Sequence, residues 1–352
     1  MAPTESHPMC SLAVILRWMF AVLCLSSFTS TTAKAQPRVQ LAQLVLRSES
    51  TFTAVTGAVQ LPNGSILVTD PTEPAVVLVD RVGRSRVVGR PGSGPGEYRE
   101  PQRLLPFRGK QALLIDPLLR RLTTFDVTGR ITGSVAYPVG VAAFALEEAR
   151  SVSDEGIVHF GAPVIGARPR EVPVFRWQFP RGELFPVDTI LGEKLVQVGA
   201  GIARIVPFSH ADAVATLSDG TRVTVRATSR VVEWARPGAQ VVRRPFPGIA
   251  QDIPKQVRER IRPLELQPEV ERQFPPFTPG SLVVSTSDRV WVQALPARGD
   301  SLAWYGFRLG EAQPSLMMLD RASTLISVRE PFAILARRMD DDTERIEVWR
   351  LR

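Results

Sequence analysis

Beyond residue 57 the apolar positions fall in short runs rich in Val, Ile and Leu, and each run is cut by Gly, Pro, Asn or Asp. Such runs predict antiparallel strands joined by tight turns. Ala58-Val59-Gln60-Leu61 leads into a turn at 62–65, and Ile66-Leu67-Val68-Thr69-Asp70 rises as a second strand. Pro71 to Pro74 turn again, Ala75 to Asp80 form a third strand, Arg81-Val82-Gly83-Arg84 turn back, and Ser85-Arg86-Val87-Val88 is a fourth. Asn-Gly and Gly-containing turns between four short strands describe one antiparallel meander.

The meander recurs. Ala112-Leu113-Leu114-Ile115-Asp116 parallels Ile66 to Asp70, Arg121 to Asp126 parallels Ala75 to Asp80, and Val127-Thr128-Gly129-Arg130 parallels Arg81 to Arg84. The equivalent turn glycines, Gly64 and Gly109, stand 45 residues apart. Weaker copies are centred on turns at 153–156, 218–220, 286–288 and 339–343, giving six modules. A repeat of this size predicts an all-β fold, a six-bladed β-propeller of four-stranded antiparallel blades, because radial closure protects the edges of sheets too small to stand alone. The strand at 39–47 has no nearby hairpin partner and is expected to pair with the last blade near 345–351, locking the ring.

Between the first two modules lies Gly89-Arg90-Pro91-Gly92-Ser93-Gly94-Pro95-Gly96-Glu97-Tyr98, closed by Pro101. It reads as the crossing between two blades, with Gly89, Gly94, Gly96 and Pro101 shaping the turn and Tyr98 returning to the core. It lacks Gly-Lys-Ser/Thr and a following helix, so it is no phosphate loop. Two longer intervals read as insertions, about 161–200 with extra strands and about 236–276 with a short helix. Asp252 is the expected cap of that helix, Pro254 a first-turn residue, Ile253, Val257 and Ile261 its apolar stripe, and Pro263 its end. It is either a rim or plug element or a lid over the channel mouth.

Residues 1–35 read as a signal peptide. Arg17 precedes a short apolar run, and Ala33-Lys34-Ala35 is an A-x-A cleavage pattern. Residues 36–352 are then the propeller domain, exported to the periplasm or beyond the cell, with no transmembrane segment. Both cysteines, Cys10 and Cys24, lie in the leader, so the mature chain has neither disulfide nor thiolate chemistry. The formal net charge is +8, carried mainly by arginines spread along the chain, and no nucleic-acid motif accompanies it.

The crossing at 89–101, followed by Asp116 and by Arg121 to Gly129, resembles NHL-type repeats, and the run from Asp340 to Trp349 resembles the closing blade of exported bacterial six-bladed propellers. The resemblance implies the fold and a central channel where ligands bind. It spans binding scaffolds and enzymes alike, including amidating lyases and lactonases.

Site chemistry is thinly marked. After the leader only His159 and His210 remain, too few for a histidine zinc centre, and asparagine occurs only at Asn63. A calcium-like site of carboxylates stays open, with Asp340-Asp341-Asp342 the densest acidic cluster. His210 beside Ser209 and Asp212 does not make a triad, since strand neighbours face opposite sides. Asp70 and Asp116 end equivalent strands, and Arg120 and Arg121 follow the second; they read either as an inter-blade ion-pair network or as the candidate ligand-binding residues, arginine serving as a carboxylate or phosphate clamp. The expectation is a monomeric binding scaffold for a protein, peptide or anionic small ligand at the channel mouth, without a resident cofactor. The alternative is a calcium-like, metal-dependent hydrolase or lyase.

Overall fold

A computed structural model describes residues 36–352, apart from 74, 139–144, 163–169, 199–201, 249, 263 and 298. Residues 1–35, read above as a signal peptide, and the prolines Pro74 and Pro263 thus lie outside the described residues. The chain forms a six-bladed β-propeller. The first blade runs Gly57–Gln60, Ile66–Asp70, Ala75–Val79 and Ser85–Pro91 from the axis outward. The second runs Arg103–Phe107, Gln111–Asp116, Arg121–Phe125 and Ile131–Ala136, and the fourth Ala213–Thr216, Arg222–Arg226, Val231–Ala235 and Val242–Pro245.

The middle strands are apolar on both faces because each blade packs against two neighbours. All five residues of Ile66–Asp70 are buried. Leu67, Leu78, Tyr98, Leu104, Leu114 and Phe125 form one cluster between the first and second blades. Ile66, Val68, Ile334, Ile346 and Val348 form another between the first and sixth. Burying such side chains stabilises the ring by about 1.5–3 kcal/mol each. The predicted repeat turns form alike: Asp80 accepts the N–H groups of Val82 and Arg84, and Asp126 those of Thr128 and Arg130.

The predicted closure is present. Leu41–Arg47 pairs antiparallel with Glu344–Leu351 as the outer strand of the sixth blade, whose other strands are Ser323–Arg329 and Phe332–Arg338. Arg47 and the buried Glu347 form an ion pair of 2.8 Å. Arg38–Val39 adds in parallel to Ser315–Asp320 of the fifth blade, so the N-terminal segment joins two blades.

Four expectations need correction. The turn at 339–343, read as the first turn of the last module, joins its second and third strands. The first turn lies at Glu330-Pro331, where no glycine or aspartate marks it. The third blade has three strands, Ile157–Gly161, Glu171–Gln178 and Leu184–Leu191, so within the expected insertion the strand at 173–179 belongs to the blade, while 194–198 falls in a separate hairpin. Its innermost position is filled by the buried irregular segment 149–153, which turns into Ile157 through the Ser153 N–H to Ile157 carbonyl bond. The helix exists but covers only Lys255–Glu259. Pro254 stands at its N-cap, Asp252 instead bridges Gln273, and Val257 is exposed while Ile253 and Ile261 are buried.

The glycine-rich crossing is partly strand. Ser85–Pro91 reaches into it and pairs in parallel with Glu97–Tyr98. The Glu97 carboxylate accepts the N–H groups of Ser93 and Gly94 and is paired with Arg90 at 2.8 Å. The loop's amide nest therefore holds its own carboxylate, and the Gly94 amide and Arg90 keep Glu97 below the usual carboxylate range.

Candidate functional site at the channel mouth

Asp70 and Asp116 occupy equivalent places. The Asp70 carboxylate accepts from Thr53 N–H at 2.7 Å and Thr72 N–H at 3.0 Å; Asp116 accepts from Arg99 N–H at 2.9 Å and Leu119 N–H at 3.0 Å. Each joins the incoming blade crossing to the turn after its own strand. Asp212, in the crossing itself, accepts from the N–H groups of Leu191 and Ala227 and ties the third blade's last strand to a turn of the fourth. Arg121 donates to the carbonyls of Ser93, Gly94 and Glu97 and lies 5.8 Å from the Tyr98 ring. Arg120 lies 5.9 Å from the Tyr137 ring. Asp70, Asp116 and Arg121 are thus engaged in fastening crossings, and none of the four predicted ligand residues lines either cavity described below.

The inner strands enclose a cavity of about 250 Å³ on the axis, lined by Gly57, Leu104, Val284 and Leu325 among others. It reaches Arg150 and Gly280, which also line a larger cavity of about 540 Å³. The larger cavity lies on the face that carries the blade crossings. Its walls come from 148–150 entering the third blade, 192–213 entering the fourth, and Gly280 ahead of the fifth.

Two of those crossings are enlarged and fold onto each other. Leu195–Val198 and Ile202–Ile205 form a hairpin. Val196 and Val198 pack with Val206, Ile253, Ile261, Leu266 and Val270, so the hairpin and the 251–274 segment share a small core. Lys194 pairs with Glu269 at 2.7 Å, and Arg170 reaches Glu271 at 3.5 Å and the carbonyls of Gly192 and His210. The result is a cap, with Leu195 and Ile205 forming one wall of the larger cavity.

Arg150 stands at the junction of the two cavities. Its side chain is 5% exposed, and its Nη2 is held 2.7 Å from Glu148. Its Nη1 is buried without a hydrogen-bond partner among the described residues. A buried donor left unmade costs about 1–3 kcal/mol, which a bound acceptor would recover. Glu193 lines the same cavity, and burial, reinforced by the Glu148 charge and opposed by Arg150, pushes its carboxyl up from the ordinary value. Val172, Ile190, Leu195, Ile205 and Val214 supply an apolar surround.

No sequence pattern singles out Arg150, which is one arginine among many. The histidines serve elsewhere. His159 is buried against the Thr216 hydroxyl, 3.0 Å from Nδ1, and His210 faces the Gln273 carbonyl. Among the described residues no three His, Cys, Asp or Glu side chains gather as a metal-ligating group. No described helix is long and apolar enough to cross a membrane.

No family model matches this sequence. No curated protein matches it either. Solved structures do resemble its fold. A candidate exported protein from Bacteroides fragilis is 11% identical, with a TM-score of 0.53 over 92% of this chain and 97% of that one. A member of the DUF4221 family from Bacteroides vulgatus is 8% identical, with a TM-score of 0.51 over 90% and 99%. A gluconolactonase from Xanthomonas campestris is 13% identical, with a TM-score of 0.48 over 89% and 95%. At these identities the likeness carries the fold alone.

Proposed function

We propose that the protein is an exported binding module that holds an anionic ligand at the mouth of its central channel. The observation that carries this reading is Arg150, a largely buried arginine that lines both cavities and has one guanidinium nitrogen without a hydrogen-bond partner. Guanidinium groups recognise carboxylates and phosphates through paired, charge-assisted hydrogen bonds. The leader-like residues 1–35, with Ala33-Lys34-Ala35, support export, which a mature N-terminus at Gln36 would confirm. The test is calorimetric titration of the purified protein with small carboxylates and with inorganic phosphate. Saturable binding lost in Arg150→Met is expected. No binding of any anion at millimolar concentration would overturn the reading.

A further inference from the structure

Resting on that reading, we propose that the ligand is a small monocarboxylic acid with an apolar chain, its carboxylate on Arg150 and its chain in the cavity beneath the cap hairpin. Three observations carry this. First, the cavity that Arg150 enters has about 540 Å³ of space, within the range of small-molecule sites. Second, its side walls are Val172, Ile190, Leu195, Ile205 and Val214, contributed by the third blade, the cap hairpin and the fourth blade. Leu195 and Ile205 are 60% and 51% exposed, large for aliphatic residues that point into a concavity, and a chain laid against them would cover them. Apolar contact of this kind is what drives binding into such pockets.

Third, the charge pattern limits the head group to one negative charge. Among the lining cations Arg150 has a donor without a partner, and it is already paired with Glu148 at 2.7 Å. Glu171, Glu193 and Asp212 line the same space, and Arg170 among the lining residues is committed to the cap. A dianionic phosphate would face those carboxylates with one unused guanidinium nitrogen to hold it, and like charges at short range disfavour it. A single carboxylate matches the free Nη1.

The experiment compares octanoate, butyrate, octanol and octyl phosphate against the full chain by calorimetry. Octanoate is expected to bind tightest, gaining roughly threefold to fourfold in affinity per methylene over butyrate. Arg150→Met should lower octanoate affinity at least tenfold, since a hydrogen bond to a charged group is lost. Leu195→Gln, a neutral polar change at an exposed wall position, should lower octanoate affinity more than butyrate affinity. Equal affinity for butyrate and octanoate, with Arg150 still required, would overturn the chain but leave the anion site standing. Octyl phosphate binding more tightly than octanoate would overturn the single-charge argument. Failure of every probe would overturn this inference together with the proposal it rests on.

Discussion

Gly89 and Tyr98 share one space: a Cβ at position 89 would stand 2.1 Å from Cε2 of the tyrosine ring. The ring is fully buried between the first two blades, and burial pushes its hydroxyl up to about 12. Gly89→Ala must therefore displace the ring or the crossing. A loss of about 1–3 kcal/mol is expected, as for other overpacked cores. Urea unfolding of Gly89→Ala, Tyr98→Ala and the double variant checks it. The clash predicts that the double variant is more stable than the sum of the two single losses.

Asp70 and Asp116 each satisfy N–H groups of a crossing and of a turn. Asp116→Ala leaves those donors without their carboxylate in a fully buried place, at a cost of about 1–3 kcal/mol apiece. A drop in melting temperature with unchanged anion affinity is expected. Weakened anion binding without loss of stability would instead make Asp116 a ligand residue.

His159 gives a pH dependence with a defined sign. Burial, aided by the charges of Arg222 and Arg176, lowers its imidazole to about 3 from the ordinary 6.5. The unfolded chain takes up this proton near 6.5, and the folded one refuses it until about 3. Its contribution is fully present above about pH 6.5 and declines as pH falls from there through about 3, by at most about 1.4 kcal/mol per unit. The difference in unfolding free energy between the parent and His159→Gln, followed from pH 7 to pH 4, should shrink along that window. A pH-independent difference would refute it.

Arg47 is the partner of a carboxylate that is 1% exposed and that also accepts from Trp349 Nε1 at 2.9 Å. Arg47→Met leaves Glu347 short of its cation and should destabilise the protein by on the order of 1–3 kcal/mol. Hydrogen exchange should quicken first in 41–47 and 344–351, since the outer strand of the closing blade is the least covered.

How much of this was legible depended on how each turn is built. The first two blades repeat with aspartates and glycines in register, so strand ends and the crossing could be placed from residues alone. The sixth blade slipped by one strand because Glu330-Pro331 makes a turn without Gly or Asp, while 339–343 looks like the repeat's own turn. The third blade hid because 149–153 replaces a strand with irregular chain. The repeated aspartates were visible, but their role was not: a carboxylate that caps backbone amides and one that awaits a ligand look the same in sequence. Arg150 was invisible for a related reason. What distinguishes it is its place in the walls of both cavities together with one nitrogen that has no partner, and the chain segments that build those walls are distant in sequence.

The pairing of Leu41–Arg47 with Glu344–Leu351 also sets an order of events. The early strand and its partner stand far apart along the chain, Arg47 and Glu347 being 300 residues from each other. The ring stays open until 344–351 is in place, and the edge of the sixth sheet stays bare until the early strand returns to cover it. A chain cut short before 344 is therefore not a smaller propeller. It is an open arc with an exposed sheet edge, the state in which this fold is most prone to pair with the wrong neighbour.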